Sequence, residues 1–211
     1  MRRISCILAI ACCVISIDSS ADEELAMGNL LVATDEVQGA AFAETVILLL
    51  HYDESGAMGL VVNRPTKAMP RELLPDLDGL KNYEGTAYWG GPVRLGSMRA
   101  LHRTETPQDD EIYVFDTVHQ APLDEKLPEG ATDEKNLRFF IGYAGWAPGQ
   151  LDREVLFGSW HIIPATEEVV FTEDPGEIWK KLSPPRQYRA SAERQSQKRS
   201  VSRNEKRLSL N

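Results

Sequence analysis

Two apolar runs separated by a short turn constrain the fold of this chain more than any other feature. Residues 45–51 read Thr-Val-Ile-Leu-Leu-Leu-His and lack polar alternation, which predicts a strand buried on both faces. A turn cluster at 53–56 separates this run from a second predicted strand at 59–63. So short a link favours a hairpin and leaves no room for the crossover that parallel strands need. We therefore do not expect a regular doubly wound fold.

The rest of the body alternates short predicted strands with short predicted helices. The other predicted strands are 29–33, 86–89, 98–102, 112–115, 137–143, 160–163 and 169–171. The predicted helices are 70–77, 150–157 and a last helix that begins near residue 174, and the polar stretch 121–136 predicts a loop. Such an order of elements predicts the mixed α/β (α+β) class, in a single compact domain over residues 22–185.

The formal net charge of −9 averages segments of opposite sign. Residues 22–185 hold 13 Lys and Arg against 29 Asp and Glu, a net charge of −16. Because an acidic surface repels phosphate groups, we expect the body as a whole to bind no nucleic acid, although a local basic patch is compatible with this. Residues 186–211 hold 8 Lys and Arg against 2 Glu, which predicts a disordered basic tail. Such a tail is suited to contact an anionic surface, or else to stay solvated without a partner.

The first 21 residues follow the order of a secretory signal peptide. Arg2 and Arg3 precede an apolar stretch at 4–17, and the small residues Ser19 and Ala21 come after it. We expect cleavage near Ala21 and export to the periplasm or beyond. A chain that keeps this segment, as a buried helix or an anchor, is the alternative, with a cytoplasmic location if the segment is not a signal.

Few residues of the body carry recognisable chemistry. All three cysteines lie within residues 1–21, so a processed chain could form neither a disulfide nor a thiolate metal site. His51 with Asp53 and Glu54 is the nearest approach to a metal cluster, but turn formation explains these acids equally well. The sequence contains no Walker A, G-x-G-x-x-G or G-x-S-x-G motif. We therefore expect no metal, no cofactor and no catalytic residue.

Turns at the ends of strands supply the candidate ligand-binding residues. These candidates are Asn63, Arg64, Gly90, Gly91, Trp146 and Gln150. Arg64 could bind a carboxylate or phosphate, or it could pair with one of the many acids of the body. The glycine-rich link 142–150 could present backbone N–H groups to an anion, or it could form a tight turn with Trp146 packed on the core.

Several motifs, taken in order, resemble the YqgE/AlgH family of bacterial proteins. They are Gly28-Asn29-Leu30-Leu31-Val32-Ala33, Phe42 with Thr45-Val46-Ile47, Gly56 to Pro65, Gly90-Gly91-Pro92-Val93, Leu101-His102, Gly142 to Trp146, Gly149 to Glu154, and Gly158 with Trp160. The resemblance runs from about 28 to 182 and implies a compact domain with a mixed, barrel-like sheet. It implies no established reaction, and the family's regulatory label comes from an association with control of alginate production. The chain departs from the family at 34–36, at 121–136 and in both terminal segments.

Three kinds of function are compatible with these features. The lack of a nucleophile–base or metal constellation favours a non-enzymatic binding or regulatory protein, with an unknown protein or small-molecule partner. The turns at Asn63-Arg64 and Gly145-Trp146 favour a small-ligand-binding protein or an enzyme instead, because ligand sites often gather at strand ends. A transcriptional regulator rests on the family label alone, and export would argue against it. The second hypothesis requires that Asn63, Arg64, Trp146 and Gln150 meet in one pocket.

Overall fold

A computed structural model describes residues 24–37, 39–123, 126–128, 131 and 133–183. The predicted signal peptide and basic tail lie outside the described residues. The strands are β1 (Asn29–Ala33), β2 (Val46–Asp53), β3 (Gly56–Val61), β4 (Ala87–Trp89), β5 (Val93–Arg103), β6 (Ile112–Phe115), β7 (Val118–Ala121), β8 (Leu137–Trp146) and β9 (Trp160–Pro164). The helices are α1 (Pro70–Leu73), α2 (Gln150–Leu156), α3 (Glu167–Val170) and α4 (Ile178–Leu182), with 3₁₀ turns at Leu80–Asn82 and Pro175–Glu177. None of the helices in these ranges combines the length and apolar character required to cross a bilayer.

The strands form one mixed sheet in the order β6-β7-β5-β8-β3-β2-β1-β9. β4 pairs with β8 in parallel, whereas β8 runs antiparallel to both β5 and β3. The sheet curls into a half-barrel with a few short helices around it, which confirms the predicted mixed class and the barrel-like sheet in a single compact domain. The predicted hairpin is confirmed as the β2–β3 pair, in which Asp53 lies opposite Gly56.

Apolar side chains cover both faces of the central strands. In β2, Leu48 belongs to one buried cluster, whereas Ile47 and Leu49 belong to another on the opposite face. In β8, Phe139 and Phe140 are both fully buried although successive side chains of a strand point to opposite faces. The unalternated run at 45–51 therefore marks a strand buried on both sides, as predicted.

Two local predictions are wrong and a third is too long. Residues 169–171, predicted as a strand, lie in and just after α3, because the side chain of Thr166 accepts the N–H of Val169 and caps a helix there. β7 falls where no strand was predicted, and it pairs with β5 and β6. The helix predicted over 70–77 ends at Leu73, because the residue before Pro75 is sterically driven out of the helical region.

Candidate functional site

Asn63 and Arg64 hold the backbone that leads into β2. Oδ1 of Asn63 accepts the N–H of Val46 at 2.9 Å, and its Nδ2 donates to the carbonyl of Glu44 at 2.9 Å. Nη2 of Arg64 donates to the carbonyl of Ala43 at 2.6 Å. Glu44 has a left-handed φ of 57°, which a non-glycine residue adopts only when its surroundings stabilise it. These hydrogen bonds give both predicted residues a structural task at this corner.

Gly90 and Gly91 lie against the backbone of β8. A Cβ on Gly90 would lie 2.5 Å from the carbonyl oxygen of Gly142, and a Cβ on Gly91 would lie 2.2 Å from the carbonyl carbon of Tyr143. Gly90 also donates its N–H to the carbonyl of Ile141 at 2.8 Å. Glycine is required here because two backbone segments approach too closely for any side chain.

Trp146 and Gln150 meet through Glu154 on α2. One carboxylate oxygen of Glu154 accepts the indole N–H of Trp146 at 2.9 Å and that of Trp160 at 2.8 Å. The other oxygen accepts the side-chain N–H of Gln150 at 2.9 Å, since residues four apart lie on the same helix face. We call Trp146, Gln150, Glu154 and Trp160 the tryptophan clasp. The sequence analysis gave Glu154 and Trp160 no role of their own, although both lie in motifs of the family resemblance.

The six predicted binding residues do not form a single site. Trp146 pairs with Ala57 at the beginning of β3, whereas Asn63 and Arg64 follow the end of that strand. At about 3.3 Å per residue, this separation is roughly 20 Å along the strand. The structure thus brings Trp146 together with Gln150 and leaves Asn63-Arg64 at the far end of β3.

An open depression of about 410 Å³ lies where the β2–β3 hairpin meets the end of β8. The side chains that line it include His51, Met58, Val93, Tyr143 and Trp146, together with the backbone of Gly145. The depression is open to solvent, and its lining combines apolar and aromatic side chains with the polar side chains of His51 and Ser55. We call it the Gly145 depression.

Neither the backbone conformation nor a neighbouring backbone segment requires glycine at position 145. Its φ lies outside the left-handed region, and a Cβ there would lie 3.3 Å from Cε2 of Tyr143 and 3.6 Å from Cγ2 of Val93. By contrast, a Cβ on Gly59, also within a strand, would lie 2.7 Å from the carbonyl oxygen of Leu48. Gly59 is therefore required by backbone packing, whereas a small side chain at Gly145 would need only a slight shift of Tyr143.

The hairpin side of the depression carries a hydrogen-bonded carboxylate. Oδ1 of Asp53 accepts the N–H of Ser55 at 2.7 Å and its hydroxyl at 2.6 Å, and Oδ2 lies 3.1 Å from Nε2 of His51. The Ser55 hydrogen bonds, more than the nearby imidazole, lower the pKa of Asp53 below its usual range. Because Ser55 donates to Asp53 and not to His51, this group lacks the serine–histidine contact of an activated nucleophile.

The opposite side of the depression is formed by Val93, the residue at which a bulge in β5 begins. Val93 lies opposite Tyr143 and Met98 opposite Ile141, so residues 94–97 bulge out of the ladder. Arg94, the first bulged residue, has a left-handed φ of 50°. The guanidinium of Arg99 lies 5.1 Å from the centre of the Tyr143 ring.

The sequence analysis did not predict the buried contact between His102 and Glu111. Nδ1 of His102 lies 2.6 Å from Oε1 of Glu111, and the two side chains are 3% and 0% exposed. His119 lies directly opposite His102 on β7. The nine-residue spacing of His102 and Glu111 gave no signal, because a loop and not one helix face brings them together. Across the described residues, no group of three or more His, Cys, Asp or Glu is arranged to hold a metal ion.

Comparison with known proteins assigns the family. A profile described as AlgH-like (DUF179) matches residues 30–185. A UPF0301 protein of Chlorobium limicola is 31% identical over 163 residues, which cover 75% of this chain and 86% of the relative. A UPF0301 protein of Chlamydia muridarum is 33% identical over 160 residues, or 74% of this chain and 83% of the relative.

Two solved structures have the same fold. The crystal structure of a Corynebacterium diphtheriae protein superposes with a TM-score of 0.64 at 24% identity, covering 76% of this chain and 86% of the other. The solution structure of AlgH from Pseudomonas aeruginosa gives a TM-score of 0.58 at 26% identity, covering 74% of this chain and 85% of the other. The resemblance found in the sequence is confirmed, and the chain belongs to the AlgH-like (UPF0301) family.

Proposed function

We propose that this AlgH-like protein is a non-enzymatic binding protein and that the Gly145 depression is its binding surface. The observation that carries this proposal is the glycine itself. Glycine inside a strand weakens the strand and commonly marks a place where a ligand or another backbone comes close. The nearest neighbours of a Cβ at Gly145 are side-chain atoms of Tyr143 and Val93 and include no backbone atom, which supports the approach of a ligand at this position over the approach of another strand.

The chemistry of the lining supports binding over catalysis. Met58, Val93 and Tyr143 offer partly buried apolar surface, which contributes to binding and performs no reaction. Asp53 accepts the hydroxyl of Ser55, so its hydrogen bonds hold the hairpin turn and do not activate a nucleophile.

The alternative hypothesis, a small-ligand site or an enzyme, used the turns at Asn63-Arg64 and Gly145-Trp146. Only the second of these turns lies at the depression. Gly145 and Trp146 line the depression, whereas Asn63-Arg64 lies roughly 20 Å away along β3. A small-ligand site would therefore use the same depression. A role in transcription is supported by the family label only.

The compartment of this binding protein is also a proposal. The charged start, apolar stretch and small residues of the first 21 positions support export, with the mature chain acting outside the cytoplasm. The net charge of −16 over residues 22–185 supports a protein or small-molecule partner over a nucleic acid.

A displayed library of random short peptides tests the binding surface without a known partner. The library is selected on the full chain and depleted on Gly145→Val, whose side chain fills the depression. We expect enriched peptides that bind the wild type and Gly176→Ala but not Gly145→Val. Gly176 is the matched control, because it has open space around a Cβ and does not line the depression.

The outcome that contradicts the proposal is equally direct. Peptides that bind Gly145→Val as well as they bind the wild type would move the binding surface elsewhere. Gly145→Ala, a smaller change, repeats the comparison should the valine variant fold poorly. Circular dichroism of each variant separates lost binding from lost folding.

A further inference from the structure

We propose that the Gly145 depression recognises a segment of a partner protein in which an apolar side chain stands beside a single carboxylate. This inference rests on the proposed function and adds the chemistry of the partner. It follows from the shape of the depression, the cations on its β5 side and the strain in the β5 bulge.

The open shape of the depression favours a protein segment over a small molecule. A site that holds a small molecule usually encloses most of the ligand surface. The Gly145 depression is open to solvent, so it covers one side of whatever it binds. An apolar side chain can lie against Tyr143 and Val93 if the rest of its chain makes contacts outside the depression.

Two arginines adjoin lining residues on the β5 side of the depression. Arg94 follows Val93 of the lining, and Arg99 lies over the ring of Tyr143. Neither takes part in an ion pair within the described residues, although the body carries a net charge of −16. Nε of Arg99 is also buried without a hydrogen-bond partner. A guanidinium is the side chain best suited to a carboxylate, because its planar donors match the two oxygens.

The backbone strain in the bulge supports a binding role for Arg94. A left-handed φ of 50° is unfavourable for arginine, since its Cβ approaches the backbone. Bulges often occur beside functional sites, where they redirect a side chain. Here the bulge exposes Arg94 and Leu95, and Leu95 is 57% exposed.

The hairpin side of the depression limits the partner to one carboxylate. Asp53 is negatively charged there, although Ser55 and His51 already engage its oxygens. Glu54 is exposed at the hairpin tip and adds a second negative charge. Both would repel a further acid, so the carboxylate of the partner must lie toward Arg94 and Arg99.

Three probes test this inference on the full chain. They are the peptide acetyl-Gly-Asp-Phe-Gly-amide, its Asn counterpart, and N-acetylphenylalanine as a free small acid. NMR titrations follow the amide of Gly145 and the indole of Trp146. We expect the Asp peptide to bind about five-fold more tightly than the Asn peptide, as for one exposed ion pair. Arg94→Gln with Arg99→Gln should abolish this preference, whereas Arg71→Gln, an exposed arginine outside the depression, should keep it.

Every other result of these titrations would contradict one specific part of the inference. If both peptides bind equally and Gly145→Val abolishes binding, the partner needs no carboxylate, and the proposed function is still supported. Binding that survives in Gly145→Val and Gly145→Ala would overturn both. N-acetylphenylalanine binding as tightly as the Asp peptide would replace the protein segment by a small acid. A dimer in light scattering that Gly145→Val abolishes would assign the depression to a second copy. Arg94→Gln alone serves if the double variant does not fold.

Discussion

The indole N–H of Trp146 donates to Glu154 at 2.9 Å, and this bond joins the last residue of β8 to the middle of α2. Trp160 at the beginning of β9 donates to the same oxygen at 2.8 Å. The two rings meet edge to face, with centroids 6.2 Å apart. Trp146, Glu154 and Trp160, which belong to motifs of the family resemblance, are therefore joined by hydrogen bonds that stabilise the fold. Gly145, next in the chain to Trp146, takes no part in these hydrogen bonds.

Removal of the Glu154 carboxylate should destabilise the domain. Glu154→Ala leaves two partly buried indole N–H groups without an acceptor, and we expect a loss of ~2–4 kcal/mol in the free energy of unfolding. Urea unfolding measures it. Asp152→Ala is the control on the same helix, because its hydrogen bond to Tyr52 is exposed and should contribute less than ~1 kcal/mol. Equal effects of the two variants would contradict a structural role for the clasp.

Removal of the Trp146 ring should open a cavity beside α2. Trp146 is 8% exposed and packs in a cluster with Leu151 and Val155, which confirms its predicted packing on the core. We expect Trp146→Ala to lower the free energy of unfolding by ~3–5 kcal/mol, the usual range for a buried aromatic side chain. A urea-unfolding difference below ~1 kcal/mol would fall outside that range and contradict the packing account.

Replacement of Arg138 by lysine should destabilise the domain. It is 2% exposed, donates to the carbonyls of Val170 and Thr172, and lies 4.9 Å from the centre of the Tyr88 ring. Burial lowers the pKa of this guanidinium below its usual range. A lysine cannot span both carbonyls, so we expect Arg138→Lys to cost about 1–3 kcal/mol and to speed hydrogen exchange in α3. Arg71→Lys, at an exposed site, should change the unfolding free energy by less than ~0.5 kcal/mol.

The stability of the turn between β2 and β3 should depend on the ionisation of the Asp53 carboxyl. Its pKa is lowered mainly by the Ser55 hydrogen bonds, so its stabilising contribution is present above the usual carboxyl pKa of about 4 and lost as pH falls through the lower, folded value. Ser55→Ala removes the hydroxyl donor and should raise the Asp53 pKa in an NMR titration. Glu177, whose pKa Lys180 lowers, is the internal control and should not change. An unchanged Asp53 pKa would exclude the hydroxyl as its cause.

The compartment can be checked by mass. If residues 1–21 are a signal peptide, protein recovered from the exported fraction should begin at Asp22 and contain no cysteine. Intact mass spectrometry of separated cell fractions measures this. Full-length protein in the cytosol would contradict export and would renew the case for a regulator.

Local patterns predicted most of the strands and failed where tertiary contacts decide. The first strand, 29–33, is found with its predicted bounds, because a short continuous apolar run is typical of a strand buried on both faces. Residues 169–170 carry the β-branched pattern of a strand yet form a helix, since the Thr166 cap and burial of Val170 outweigh that propensity. The bulge at 94–97 had no signal either, because it depends on the register of β5 against β8.

By itself, the sequence determined the family, through the resemblance of motifs taken in order. It also determined the mixed class, the β2–β3 hairpin and the burial of the central strands, because apolar periodicity and turn residues act over short distances. Only the tertiary structure decided which polar residues meet. It joined Trp146, Gln150 and Glu154, separated Asn63 from them, and paired His102 with Glu111. The physical reason is that a side chain's neighbours depend on strand order and register, which arise from packing of the whole sheet. For the same reason, the space at Gly145 appears only when Tyr143 and Val93 are in place around it.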